Sequence, residues 1–295
     1  MQTHLHGIMP PMVTPFRADE SIDEDALRAD VRYLIGQAGV DGLTVTGSTG
    51  EGHTLTDAEV RRVTEVVLEE ARGEVPVISG VICDSTRGAL QRAAALEGLD
   101  VAALQVTPVH YLFRPGDDAM ETHFATLARE SGRKIIIYNV VPWTYLSPDL
   151  LCRIMRNVPD VIGVKQSAGD MKLLADLLLQ APEGKVILTA VDALLYPSFA
   201  LGAQGAVAAI LTAAPTLCTA LWRAMAEGDH ARGLELHKSL LPIWNAICDD
   251  NLPANVRCAM ALQGREGGQP RAPMVLPGEA QQQRIKDALA SAGLV

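Results

Sequence analysis

The sequence predicts an α/β protein, a (β/α)8 TIM barrel with a C-terminal helical extension. Three observations lead there. Short apolar runs rich in β-branched residues recur roughly every 30 residues along the first two thirds of the chain, with helix-like segments between them. The runs are near-continuous rather than alternating, the mark of parallel strands covered on both faces. Beyond about Ala214 such runs stop and only helical patterns remain.

The expected strands are Ile8–Thr14, Gly42–Thr46, Val75–Val81, Val101–Thr107, Lys134–Asn139, Val161–Gln166, Lys185–Thr189 and Gly205–Ile210. Helix signals fill the intervals. Thr56-Asp57-Ala58-Glu59 is a capping box, and Val60, Val63, Val66 and Val67 follow on one face. Ser147-Pro148 pairs a cap with proline at the first helical position, ahead of a stripe of Leu150, Leu151, Ile154, Met155 and Val158. Eight such units close most economically as a barrel. An open doubly wound sheet is the competitor, disfavoured because no strand leads into a G-x-G-x-x-G turn. The tail reads as helices over Thr216–Glu227, His230–Cys248, Pro253–Gln263 and Glu279–Ala292, with a Gly- and Pro-rich loop at Gly264–Pro277. Residues 1–213 are thus expected to form the barrel and its active site. Residues 214–295 are expected to pack on it.

Composition narrows the function. With 295 residues and 48% of them hydrophobic, the chain has material for a large core. A formal net charge of -10 argues against nucleic acid and against an anionic membrane surface, without excluding a small anionic substrate. No apolar run reaches the roughly 18 residues of a membrane span. Met1–His6 lacks the basic and apolar regions of a signal peptide. The five cysteines, Cys83, Cys152, Cys218, Cys248 and Cys258, are scattered and odd in number, as in a reduced cytoplasmic protein. No histidine set with metal-ligand spacing sits at a strand end. His4 and His6 lie two apart, but at the terminus. No metal and no cofactor are expected.

Barrel chemistry sits at the carboxyl ends of the strands. Lys165 closes the apolar run Val161–Val164, a costly place for a charge without a task. Burial of a lysine disfavours the ammonium, and a neutral amine attacks carbonyls to form a Schiff base. The second strand ends in Gly47-Ser48-Thr49-Gly50-Glu51. Its glycines and hydroxyls suit a carboxylate or phosphate, although a plain Ser/Thr-capped turn has the same composition. Glu51 is expected to steer that turn or cap a helix, with no catalytic part. Tyr138 ends the fifth strand, where a phenol beside a Schiff base can relay a proton. His110 and Tyr111 follow the fourth.

Gly47-Ser48-Thr49-Gly50-Glu51, Tyr138-Asn139 and Gly163-Val164-Lys165, with the opening Ile8–Phe16, resemble the dihydrodipicolinate synthase / N-acetylneuraminate lyase family of class I aldolases. The resemblance spans about Gly7 to Ala292. It implies a lyase in which Lys165 forms a Schiff base with pyruvate or another 2-keto acid. Ser48 and Thr49, with the Gly47 turn, hold the substrate carboxylate, and Tyr138 transfers protons. The main chain of Val207 lines the carboxylate pocket. A further tyrosine reaching in from a neighbouring subunit matches Tyr111, with His110 as competitor. The implied assembly is a homotetramer, a dimer of dimers.

Two departures bear on the substrate. The arginine that the resemblance implies after the Tyr-Asn pair is absent from Val140-Val141-Pro142-Trp143-Thr144-Tyr145, where Trp143 stands. On the seventh strand the family's glycine-aspartate pattern becomes Thr189-Ala190-Val191-Asp192. A second carboxylate thus loses its partner, and Trp143 and Tyr145 suit a less polar or aromatic distal group. Dihydrodipicolinate synthase proper, and a barrel that binds 2-keto acids without turnover, are the alternatives. A metal-dependent lyase lacks a carboxylate or histidine cluster at the rim.

Overall fold

The computed structural model describes residues 5–295, so that His4 lies outside it. Eight strands run parallel: β1 (Gly7–Ile8), β2 (Leu43–Val45), β3 (Val77–Val81), β4 (Ala103–Val106), β5 (Ile135–Asn139), β6 (Val161–Gln166), β7 (Val186–Thr189) and β8 (Gly205–Ala206). Their spatial order is β1-β8-β7-β6-β5-β4-β3-β2. The seam between the ends closes through the segment after β1. Pro11 bridges Thr44 in parallel, and the Met12 amide donates to the Thr44 carbonyl at 2.8 Å. This is a (β/α)8 barrel.

All strands but β6 are shorter than expected, and the two shortest, β1 and β8, have identifiable reasons. Proline has no amide hydrogen to give a ladder, so the predicted Ile8–Thr14 strand is reduced at Pro10-Pro11 to β1 and isolated bonds. The predicted Gly205–Ile210 strand ends at Ala206, and Ile210–Ala213 turns into helix α8. An apolar run of that length carries no period that separates strand from helix.

The other helices are α1 (Glu24–Tyr33), α2 (Asp57–Ala71), α3 (Thr86–Ala95), α4 (Asp117–Ser131), α5 (Pro148–Asn157), α6 (Met171–Gln180), α7 (Leu195–Ala200), α9 (Pro215–Ala226), α10 (His230–Ile247), α11 (Leu252–Leu262) and α12 (Glu279–Ser291). The reciprocal capping box at Thr56 and Glu59 forms, as does the Ser147 cap of α5. In the tail, each observed helix boundary agrees with its expected one to within a residue. Helix α9 packs on β1, on α7 and on the π-turn Leu34–Ala38, and so closes the helical ring. The apolar core is continuous from Ile8 to Leu289, which binds the tail to the barrel.

Inside the barrel, Met9, Ile78, Ala103, Ile136, Leu188 and Val207 form a buried plug. Outward residues such as Leu104, Ile137 and Val164 meet the helices. The β5–β6 ladder slips once. Ile135 pairs with Val161 and Ile136 with Gly163, so Ile162 is passed over. No helix among the described residues is long and apolar enough to cross a membrane.

Candidate active site

Above the plug lies a cavity of about 520 Å3 at the carboxyl rim. Ser48, Thr49, Tyr138, Lys165 and Val207 all line it, as do Val140, Asp192, Trp244, Leu252 and Pro253. Tyr138 and Lys165 are direct ladder partners, so both side chains leave the sheet on the same face. The lysine Nζ sits 3.6 Å from the centroid of the Tyr138 ring, and the Lys165 residue is 3% exposed. No carboxylate among the described residues forms an ion pair with it. The amine therefore rests on a ring face and is not tied up in a structural salt bridge.

The phenol oxygen of Tyr138 lies 3.3 Å from the Ser48 hydroxyl. Tyr138 therefore touches both the Lys165 amine and the Ser48 hydroxyl. Asn139, next to Tyr138, is buried and holds the following loop. It donates to the Leu146 carbonyl at 3.1 Å and accepts the Leu146 amide at 2.9 Å. Tyr138 thus faces the cavity while Asn139 anchors the loop.

The Gly47–Glu51 turn is built from strain and close packing. Thr46 and Glu51 both adopt left-handed backbone, at φ 54° in each case. A Cβ on Gly50 would come within 2.8 Å of the Met12 carbonyl oxygen, so that glycine is required by the seam. A Cβ on Gly47 would meet only the Gln105 amide at 3.6 Å, and Gly47, unlike Ser48 and Thr49, is not on the cavity wall. Glu51 does steer the turn. It ion-pairs with Arg257 of α11, and its other oxygen accepts the Arg271 amide at 3.0 Å.

Asp192, after β7, is the only carboxylate on the cavity wall among the described residues. Burial pushes its carboxyl up to about 6, against the Ile210 amide, which donates to it at 2.7 Å, and the nearby Lys165 charge. In the sequence Asp192 stands only as part of the altered pattern after the seventh strand, and Trp244, Leu252 and Pro253 carry no signal there. They come from α10 and α11, whose approach to the rim is a matter of tertiary packing.

Other expected residues lie elsewhere. Tyr111 is 66% exposed, and its amide donates to Asp84 at 3.0 Å, so within one chain it is outside the cavity. His110 turns its Nδ1 to the Pro108 carbonyl at 3.0 Å and to Asp84 at 3.2 Å, also away from the cavity. Trp143 does not form the distal wall. It is 68% exposed, and its indole N–H donates to the His110 carbonyl at 2.8 Å, tying it to the outer loop. Tyr145 is likewise not on the wall, and burial and then Tyr138 raise its phenol pKa. All five cysteines are unpaired.

Residues 4–292 match the model of the Dihydrodipicolinate synthetase family. The chain is 33% identical over 298 residues to a 4-hydroxy-tetrahydrodipicolinate synthase of Methanopyrus kandleri, which covers 100% of this chain and 99% of the relative. A synthase of the same name from Thermomicrobium roseum is 36% identical over 290 residues, 97% of this chain and 94% of the relative. Among solved structures, the dihydrodipicolinate synthase from Aquifex aeolicus has a TM-score of 0.92 at 26% identity, over 98% of this chain and 99% of that one.

Proposed function

The chain belongs to the dihydrodipicolinate synthetase family, and from that premise we infer that it is a lyase that works on pyruvate or a related 2-keto acid through a Schiff base on Lys165. The single observation that carries this reading is the stack of Lys165 on Tyr138 inside the cavity, with the phenol in turn 3.3 Å from Ser48.

The chemistry follows from those positions. The neutral amine of Lys165 attacks C2 of the keto acid, and loss of water leaves a protonated imine. A proton leaves C3, and its electron pair enters the imine to give an enamine. C3 then bonds to the carbon of an aldehyde, whose oxygen takes a proton relayed by Tyr138. Water releases the product from Lys165. The reverse sequence is aldol cleavage, and loss of the new hydroxyl is dehydration. Ser48, Thr49 and the Gly47 turn hold the keto-acid carboxylate beside Val207.

The names of the relatives support the alternative, a 4-hydroxy-tetrahydrodipicolinate synthase, better than a Schiff-base lyase of other substrate and better than a barrel that binds without turnover. The lining of the cavity favours a different electrophile: Lys165 is its only cation among the described residues. A cytoplasmic homotetramer is part of this proposal. It is supported by the resemblance and by the exposed apolar rim of Tyr111, Leu112, Phe113 and Trp143, and sedimentation reads it.

The test is borohydride reduction in the presence of pyruvate, then peptide mass spectrometry. An adduct on Lys165 is expected. Its absence from protein shown to be folded ends the Schiff-base reading.

A further inference from the structure

We propose that the C-terminal helices set the far end of the substrate. Trp244, Leu252 and Pro253 form an uncharged apolar wall that selects an aldehyde, or the distal part of a 2-keto acid, that is neutral and apolar or aromatic. This rests on the Schiff-base reading and adds a substrate class to it.

The headgroup and the distal space are separated on the cavity surface. Lys165 on β6, with Ser48 and Thr49 in the turn after β2, marks where a keto-acid carboxylate sits. Most other lining residues are apolar, among them Val140, Val191 and Ala209 with the three helical residues, and the polar exceptions are Tyr138, Ser167 and Asp192. A volume of about 520 Å3 holds far more than a three-carbon acid. The space beyond the headgroup is therefore part of the site, and apart from Ser167 and Asp192 its side chains are apolar groups and an indole.

Charge sharpens the choice. A second carboxylate on the substrate would find no arginine and no further lysine on this wall, and would instead approach Asp192. A buried anion without a partner is disfavoured, and two such anions more so. An uncharged distal group meets neither cost.

Trp244 is placed for this task. It lies in the last turn of α10, the helix that packs directly on the Asp192–Leu194 turn after β7. It is half-buried, with part of its surface against the core and part on the cavity. A flat ring offers large apolar contact at low entropic cost and discriminates by stacking. Leu252 and Pro253, the first residues of α11, continue the wall.

The experiment measures pyruvate consumption with benzaldehyde, 3-methylbutanal and aspartate β-semialdehyde, in the wild-type chain, W244A and W244F. Borohydride trapping with pyruvate alone runs alongside. The wild type is expected to favour the two apolar aldehydes in kcat/KM by about tenfold or more. W244A is expected to raise KM for benzaldehyde about tenfold with kcat little changed, and W244F to keep most of the preference. All three should still trap pyruvate on Lys165. Preference of the wild type for the semialdehyde would overturn the proposal. So would W244A trapping pyruvate normally with its selectivity intact. Failure of trapping in the folded wild type brings down the Schiff-base reading and this inference with it, whereas normal trapping with unchanged selectivity brings down only the wall.

Discussion

Arg257 and Glu51, 206 residues apart in the chain, form an ion pair in which both side chains are 1% exposed. The same guanidinium donates to the Thr14 carbonyl at 2.9 Å and also to the Gly267 carbonyl. One arginine on α11 therefore fastens the Gly47–Glu51 turn, the segment after β1 and the tail loop together. Removal of one partner of such a pair leaves a buried, uncompensated charge. Arg257→Met is expected to lower stability by about 3–5 kcal/mol in urea unfolding and to raise KM for pyruvate. In a double-mutant cycle with Glu51→Gln the two losses should be strongly non-additive. Additive losses would show that the turn is held by something else.

Tyr138→Phe removes the phenol and keeps the ring beneath Lys165. Borohydride trapping of pyruvate should survive, while turnover falls about 100-fold or more, the usual worth of a positioned proton-transfer group. Ser48→Ala should lower turnover about tenfold, since it removes one hydrogen bond from the phenol. Steady-state rates beside adduct yields separate the two steps.

His123, buried on α4 with Nδ1 2.9 Å from the Thr86 hydroxyl, is pushed down to about 4 by desolvation from an ordinary 6.5. The folded protein holds it neutral, and the unfolded chain takes up a proton below 6.5. Its stabilising effect is thus fully present above 6.5 and is lost as pH falls from 6.5 toward 4, by about 1.4 kcal/mol per unit. Urea midpoints across that window should slope accordingly in the wild type. His123→Gln should flatten the slope, and an unchanged slope would assign it to other groups.

Gly163 lies where a Cβ would overlap the carbonyl oxygen of Val186 on β7. Gly163→Ala must push β6 off β7 two residues before Lys165. A loss of about 3 kcal/mol in urea unfolding is expected, with slower adduct formation. An alanine variant of wild-type stability would mean that the two strands part easily.

The strand ends were readable because a barrel concentrates its chemistry there, and Lys165, Tyr138 and Ser48 stood out against apolar neighbours. Trp244 was not readable. A tryptophan on an amphipathic helix looks the same whether its ring packs on a core or borders a cavity. Arg257 was hidden for a related reason: a lone arginine in a helix reads as solvated, and only the distant Glu51 makes its burial tolerable. Trp143 misled in the opposite sense. Its place after the Tyr-Asn pair suggested the cavity, but the 3-10 turn Pro142–Thr144 sends the ring outward to His110. The short β8 has the same lesson for the fold, because an alanine-rich apolar run can bend into a helix without any change of composition.

Ile162, passed over in the β5–β6 ladder, has a consequence out of proportion to its size. Strand side chains alternate between the barrel interior and the helices, so one extra residue exchanges odd for even in all that follows. Counted on from Val161 without the slip, Val164 would stand beside Tyr138 and the lysine would face the helical layer. Lys165 faces the cavity only because the strand miscounts once. A single-residue deletion at this point would leave Lys165, Tyr138 and Ser48 in the sequence and turn the lysine out of the barrel.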